Sequence, residues 1–386
     1  MPPLRVGILG FGFIGKVHAY AYRNMPLYYD PAPIETRLAG VCTSRRETAE
    51  AARALLGFDF ATTDWRDLTE NPDIDVVNIC TPNSLHAEPL LSAIACGKHV
   101  YCEKPLTAEA TEAHRVVAAL SGCRGVHQMT FNYRFVPATL RARQLVEAGF
   151  LGDPLCFRAA YLHSGSADPE APLKWKLTRR MGGGVLHDLG SHVLDLLIHL
   201  VGEVSEVSCA AKTAFADRPS PDDRAKRIPV EAEDHAVLLL RTRSGALGTV
   251  EASKLATGTE DEVRFEVHGT RGALRFNLMD PNWLEAYDAT LSERPLGGDR
   301  GWKRLATVGR YDPPGGWPGP KFAVGWMRSH VACLHNFLNA IARGTKAEPG
   351  LETGARIQEI MEAAHESAQT RRWVSLESRT FASSGS

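Results

Sequence analysis

The hexapeptide Gly10-Phe11-Gly12-Phe13-Ile14-Gly15 constrains this chain more than any other feature. It directly follows the apolar run Leu4 to Leu9 and opens a stretch of helical composition, so the glycines fall where a buried strand becomes a helix. There Gly10 permits the tight turn, Gly12 lets a pyrophosphate approach the backbone, and Gly15 allows close helix–strand packing. The unpaired N–H groups at the helix start, around Phe13 and Ile14, then face the phosphates. A turn chosen for sterics alone is the alternative reading, and the strand–turn–helix context favours the dinucleotide site.

The alternation continues downstream. Strands are expected over 37–42, 75–80, 99–102 and 125–129, and helices over 14–24, 46–56, 84–96 and 108–120. Repeated β–α units with short loops predict a doubly wound parallel sheet covered on both faces. After Met129 the pattern changes. A helix is expected over 134–148. Alternating segments follow over 154–162, 204–214, 235–243, 247–253, 263–268, 273–277 and 283–286, with hairpin signals at Ser244-Gly245 and Gly269 to Gly272. This predicts a second α/β domain with a mixed or antiparallel sheet, closed by helices over 328–342 and 352–371. Residues 219–229 and 295–320, rich in Pro, Gly and charge, read as loops, and the tail after Leu376 is expected to fray. With 386 residues and roughly 150 per domain, the boundaries are placed at 1–128 and 129–386.

Composition narrows the function classes. The formal net charge of −1 leaves no electrostatic footprint for nucleic acid or an anionic membrane. No uncharged apolar run reaches the ~18 residues of a spanning helix. The eight cysteines are scattered without a C-x-x-C pair, which points to a reducing, cytoplasmic setting.

At the tip of the second strand, where an NAD site usually carries Asp or Glu, the chain reads Thr43-Ser44-Arg45-Arg46. Hydroxyls and guanidinium groups suit a ribose 2′-phosphate and lean the cofactor towards NADP; solvated helix-start residues, or an arginine stacked on adenine, are the alternatives. Two further loops leave the carboxyl ends of strands. Thr81-Pro82-Asn83, with His86, enters a helix and can meet the nicotinamide half. Glu103-Lys104-Pro105 puts a lysine at the end of a buried strand, where it is expensive unless paired or used. Beyond Gly182-Gly183-Gly184, the residues Asp188, His192, Asp195 and His199 share one face of an otherwise apolar helix. Asp188 and His192 read as working groups, Asp195 and His199 as structural ones. His192 has the chemistry of a base for a carbinol, which needs no metal.

T-P-N-x-x-H followed by G-K-H-V-x-x-E-K-P resembles the Gfo/Idh/MocA oxidoreductases, and the likeness extends from Val6 to about Trp373. It implies an N-terminal Rossmann domain and a C-terminal α/β domain whose large open sheet commonly makes a dimer or tetramer contact. It also implies Lys104 as active-site lysine, Asp188 and His192 as the catalytic pair, and His86 and Glu103 beside the cofactor. Asn132 and Tyr133 match a junction segment of the family. The loop carrying Trp175, together with Trp326, is most similar to an anhydrosugar-oxidising branch. The activity expected is hydride transfer between NAD(P) and a secondary hydroxyl or ketone of a sugar, anhydrosugar, glycoside or cyclitol. Two other readings stand beside it: a dinucleotide-binding sugar sensor without catalysis, and a glycosidase working through a 3-keto intermediate. Since Asp188 is taken to offset Lys104, and no further unpaired arginine is placed in the pocket apart from Arg134, whose direction the sequence does not give, a neutral substrate is expected.

Overall fold

The computed structural model describes residues 2–376; the tail expected to fray lies outside them. The chain divides into two compact units, 1–135 with 309–356, and 136–308 with 357–386.

The first unit is built on β1 (Leu4–Leu9), β2 (Thr36–Cys42), β3 (Phe60–Thr62), β4 (Val76–Ile79), β5 (His99–Cys102) and β6 (His127–Met129). They form a six-stranded sheet in the order β3-β2-β1-β4-β5-β6, parallel throughout. β1 is buried over Val6–Leu9 and β4 throughout, and both are mostly apolar, as strands covered on both faces tend to be. The order reverses beside β1, so the loops after β1 and β4 border the crevice where open α/β sheets take ligands. The short strand β3 was not anticipated; three residues are too few to show a period. Helices α1 (Phe13–Tyr28), α2 (Arg46–Leu56), α3 (Arg66–Thr69), α4 (Ala87–Ala95) and α5 (Ala110–Ala119) connect the strands.

A single cut near residue 128 does not describe these units. Residues 309–356 pack with the first unit, although the sequence pattern put them in the second domain. The reason is burial. Val331, Leu334, Phe337 and Leu338, on a later helix over 326–343, join Tyr22, Met25, Tyr101 and Val6 in one apolar cluster, and sequence position does not limit such packing.

The second unit holds α6 (Pro137–Glu147), β7 (Pro154–Leu162), α7 (Ser191–Val201), β8 (Val204–Lys212), the small hairpin β9 (Asp217–Pro219) and β10 (Arg227–Pro229), then β11 (His235–Thr242), β12 (Leu247–Ser253), β13 (Glu262–Gly269), β14 (Gly272–Asn277), β15 (Trp283–Asp288) and β16 (Trp302–Ala306). β16 lies in the stretch read as a loop. In chain order there follow α8 (Trp326–Arg343), already placed in the first unit, α9 (Leu351–Thr370) and β17 (Val374–Ser375). A nine-stranded mixed sheet runs β16-β15-β14-β13-β7-β12-β11-β8-β17. β7 and β12 pair in parallel, while their outer neighbours pair antiparallel. Residues 179–201 are long and apolar enough to cross a bilayer but are mostly buried inside the protein; they include α7, which packs on the sheet. All eight cysteines are free thiols.

Candidate active site

In the first unit the glycine loop has the shape a pyrophosphate needs. Gly10 has φ +88°, and a Cβ there would lie 2.6 Å from the Cys80 carbonyl, so only glycine fits the turn. A Cβ on Gly12 would meet nothing within 4 Å. The backbone there is open to a ligand, and α1 begins at Phe13 with no side-chain cap on its first N–H groups and no acid in its first turn. These residues fit a dinucleotide phosphate. At the tip of β2, the Thr43 hydroxyl bonds the Arg45 carbonyl and Thr48. Arg46 pairs with Glu50. Ser44 and Arg45 are exposed.

After β4, Pro82 leads into a short 3-10 turn, Asn83–Leu85, and the Thr81 hydroxyl lies 3.5 Å from the Leu85 carbonyl. Two residues carried over as cofactor contacts are otherwise engaged. His86 is fully buried; its Nε2 lies 2.9 Å from the Thr81 carbonyl, and its Nδ1 lies 3.1 and 3.2 Å from those of Pro105 and Leu106. Its ring staples the loop after β4 to the loop after β5. Glu103 is equally buried, with Oε1 3.0 Å from His18 Nε2 and Oε2 accepting the Lys104 N–H at 3.2 Å. Burial opposes the charge on His18, but contacts to Cys80 and Glu103 outweigh it and push its pKa from 6.5 up to about 10. Burial also pushes the Cys80 thiol up, and Glu103 is the carboxylate in direct contact with the His18 ring. Burial opposes ionisation of Glu103 in turn; His18 and Lys104 overcome it and hold the carboxyl well below its usual range. The backbone that carries Lys104 is thus fixed by a buried ion pair.

The structure brings three expected residues together. Trp326 opens α8, donates from Nε1 to the Tyr133 hydroxyl at 3.3 Å, and stacks on Phe13 at 5.8 Å. Asn132 donates to Ser329 at 3.1 Å, and Ser329 donates to the Trp326 carbonyl. Sequence reasoning missed His330, which packs 4.3 Å from Trp326 and 6.0 Å from His18. Burial, with lesser repulsion from His18 and Lys104, pushes its pKa down to about 3. Its helical spacing from Trp326 was the available signal.

In the second unit, Asp188 and His192 do not lie on one continuous α-helix. Leu186–Gly190 is a π-helical turn, and α7 starts at Ser191; such widened turns cluster at functional sites. Glu233 anchors its start. The Glu233 carbonyl accepts the Val185 N–H at 2.9 Å, and its carboxylate accepts that of Leu186 at 3.1 Å. Gly184 has φ +122°, and a Cβ there would lie 2.5 Å from the Glu233 carboxylate. Burial would raise the Glu233 pKa, yet His365 at 3.3 Å and His187 hold it at about 2.

The Asp188 carboxylate meets two lysines of its own unit: Lys176 Nζ at 2.7 Å on one oxygen and Lys254 Nζ at 3.0 Å on the other. Lys176 Nζ lies 5.9 Å from the Trp175 ring centre. His192 is buried and packs 5.9 Å from Tyr161. Two ammonium groups of its own unit, Lys176 and Lys254, thus share the carboxylate expected to offset Lys104. Lys254 was missed because it follows β12, far along the chain, with no motif around it. Asp195 is buried, as a structural residue would be.

Residues 4–129 match the family model described as "Oxidoreductase family, NAD-binding Rossmann fold", and residues 143–376 match "Oxidoreductase family, C-terminal alpha/beta domain". Levoglucosan dehydrogenase of Pseudarthrobacter phenanthrenivorans is 36% identical over 97% of this chain and 99% of its own. Myo-inositol 2-dehydrogenase of Thermotoga maritima is 27% identical over 97% of this chain and 99% of its own. A solved levoglucosan dehydrogenase in complex with NADH and levoglucosan superposes with a TM-score of 0.91 at 36% identity, covering 97% of this chain and 100% of the other. The chain belongs to the Gfo/Idh/MocA family, NAD(P)-dependent oxidoreductases acting on CH–OH groups.

Proposed function

We propose that this enzyme oxidises a secondary hydroxyl of a neutral sugar, anhydrosugar, glycoside or cyclitol, or reduces the matching ketone. The observation that carries this is the joint presence of Lys104 on its ion-paired loop, of Asp188 on the anchored π-turn and of His192 on the following helix α7, within a chain 36% identical to a levoglucosan dehydrogenase along nearly its full length.

The dinucleotide is held by the Gly10–Ile14 loop, by Thr43, Ser44 and Arg45 at the ribose end, and by Thr81, Pro82 and Asn83 at the nicotinamide end. When bound, it supplies the hydride acceptor, or the donor in the reverse direction. Ser44 and Arg45, exposed and unclaimed by other side chains among the described residues, favour NADP(H). His192 removes the hydroxyl proton as general base. Lys104 donates to the reacting oxygen and steadies its developing negative charge. Asp188, held between Lys176 and Lys254, accepts from a substrate hydroxyl. Asn132, Tyr133, Trp175 and Trp326 provide hydrogen bonds and stacking area suited to a polyol.

A cytoplasmic homodimer or homotetramer is our reading of the assembly. Leu155, Val237, Leu239 and Leu247 leave an apolar patch exposed on the nine-stranded sheet. Light scattering on Leu239→Arg tests it; a mass unchanged from that of the wild-type oligomer removes this surface from the contact. A panel of sugars and cyclitols, assayed with NAD and NADP, tests the activity. Binding of dinucleotide without turnover of any member would favour the sensor reading. A cofactor retained through purification, with glycoside cleavage, would favour the 3-keto route.

A further inference from the structure

Lys254 is a charged side chain that the mechanism above uses only as a neighbour of Asp188. Its side chain is 4% exposed, against 45% for Lys176 on the other carboxylate oxygen. Among the described residues, the Asp188 oxygen at 3.0 Å is the one side-chain partner of its ammonium group. An ammonium carries three donors. Water can take the spare donors of the half-exposed Lys176, but not readily those of Lys254. A buried ammonium with open donors is costly unless a ligand engages them.

Its location supplies a second, independent observation. β7 and β12 are parallel, with Ser253 opposite Leu162, so Lys254 and His163 leave the sheet side by side at the carboxyl ends of two parallel strands. The crossed backbone bonds His163 N to Ser253 O and Ala256 N to His163 O, each near 3 Å, hold that end together. Loops at the carboxyl ends of parallel strands are where α/β sheets present ligand-binding groups. His163 Nδ1 accepts the Gly165 N–H at 2.9 Å, which turns that nitrogen inward to its own loop, so the charged donor that this strand end presents to Asp188 is Lys254.

We propose that Lys254 is a substrate-binding residue, donating to a hydroxyl oxygen of the polyol beside the hydroxyl that Asp188 accepts. This rests on the polyol dehydrogenase reading. Lys254 and Asp188 then form a fixed donor–acceptor pair that recognises hydroxyl groups, and a ligand completes the hydrogen bonding of the buried ammonium.

The test is steady-state kinetics of Lys254→Met and Lys254→Arg on the substrate that wild type turns over best, with NADH affinity and melting temperature measured alongside. Loss of a charge-assisted hydrogen bond corresponds to a rise in KM of about tenfold or more. The proposal expects that rise in both variants with the dissociation constant for NADH unchanged within about twofold. Should Lys254→Met fail to fold, Lys254→Arg decides, because it keeps the charge but moves the donors. A wild-type KM in folded Lys254→Met, or its full recovery in Lys254→Arg, overturns the proposal: Lys254 would then be only a counter-charge. If wild type turns over no polyol at all, the activity reading falls and this subsite falls with it, an outcome distinct from an active wild type with an indifferent Lys254.

Discussion

The two units carry their chemistry in different ways. In the first, backbone geometry shapes the ligand site: a positive-φ glycine, an open Gly12, and uncapped N–H groups at the start of α1. In the second, side chains do so: a carboxylate between two lysines, on a turn anchored by Glu233. Backbone devices need particular residues at fixed spacing, so they are written as motifs. Side-chain partnerships need only opposite charge and proximity in space, which many sequences satisfy.

The largest effects should come from the groups assigned to the reacting oxygen. Lys104→Ala and His192→Ala should each lower kcat by roughly 10²-fold or more while leaving the fold intact. Near-wild-type turnover in either variant would show that only one kind of region contributes to the chemistry. Next comes the buried pair of the first unit. Glu103→Ala leaves His18 buried beside no carboxylate and should destabilise by about 3–5 kcal/mol in denaturant titration. His18 has a raised pKa, so its contribution is fully present below pH 6.5 and is lost as pH rises towards about 10. Wild type should therefore lose stability over that alkaline range, and Glu103→Ala should lose much less. An identical alkaline slope in both would separate His18 from Glu103. The corresponding change in the second unit, Asp188→Asn, leaves the half-exposed Lys176 to water but the buried Lys254 without its counter-charge, so it should lower stability as well as kcat.

Glycine substitutions sharpen the contrast. Gly184→Ala forces a side chain into a positive-φ position against Glu233 and should cost about 1–3 kcal/mol in stability. Gly12→Ala meets no protein atom, so its melting temperature should hold while NADH affinity falls. If Gly12→Ala binds NADH normally, the open backbone is not the phosphate site. The smallest effect expected is at the ribose: Arg45→Ala should weaken NADPH more than NADH in fluorescence titration. Equal losses would mean that Arg45 only stacks or solvates the helix start.

Legibility followed the same division. The strands Leu4–Leu9, His99–Cys102, Pro154–Leu162 and Leu247–Ser253 were bounded by their apolar patterns and turn residues, and the glycine loop by its spacing. The three-residue β3 and the solvent-facing β16 had no such pattern. The π-turn was invisible because its residues are helical in composition, and Glu233, which anchors its start, is contributed from elsewhere in the chain. His86 and Glu103 were recognised as members of their motifs, but their buried partners depend on how two loops meet, which spacing along the chain does not show.

Matched substrate pairs test the central claim most directly. The reading of a neutral polyol dehydrogenase now has to hold beside two lysines on Asp188, which together outnumber its single charge. Steady-state kinetics of wild type on glucose against glucose 6-phosphate, and on further neutral sugars and cyclitols with their phosphorylated or acidic counterparts, should show NAD(P)-dependent turnover with higher kcat/KM for the neutral member of each productive pair. A clear preference for the charged member, or no turnover of any polyol with either dinucleotide, would contradict the account.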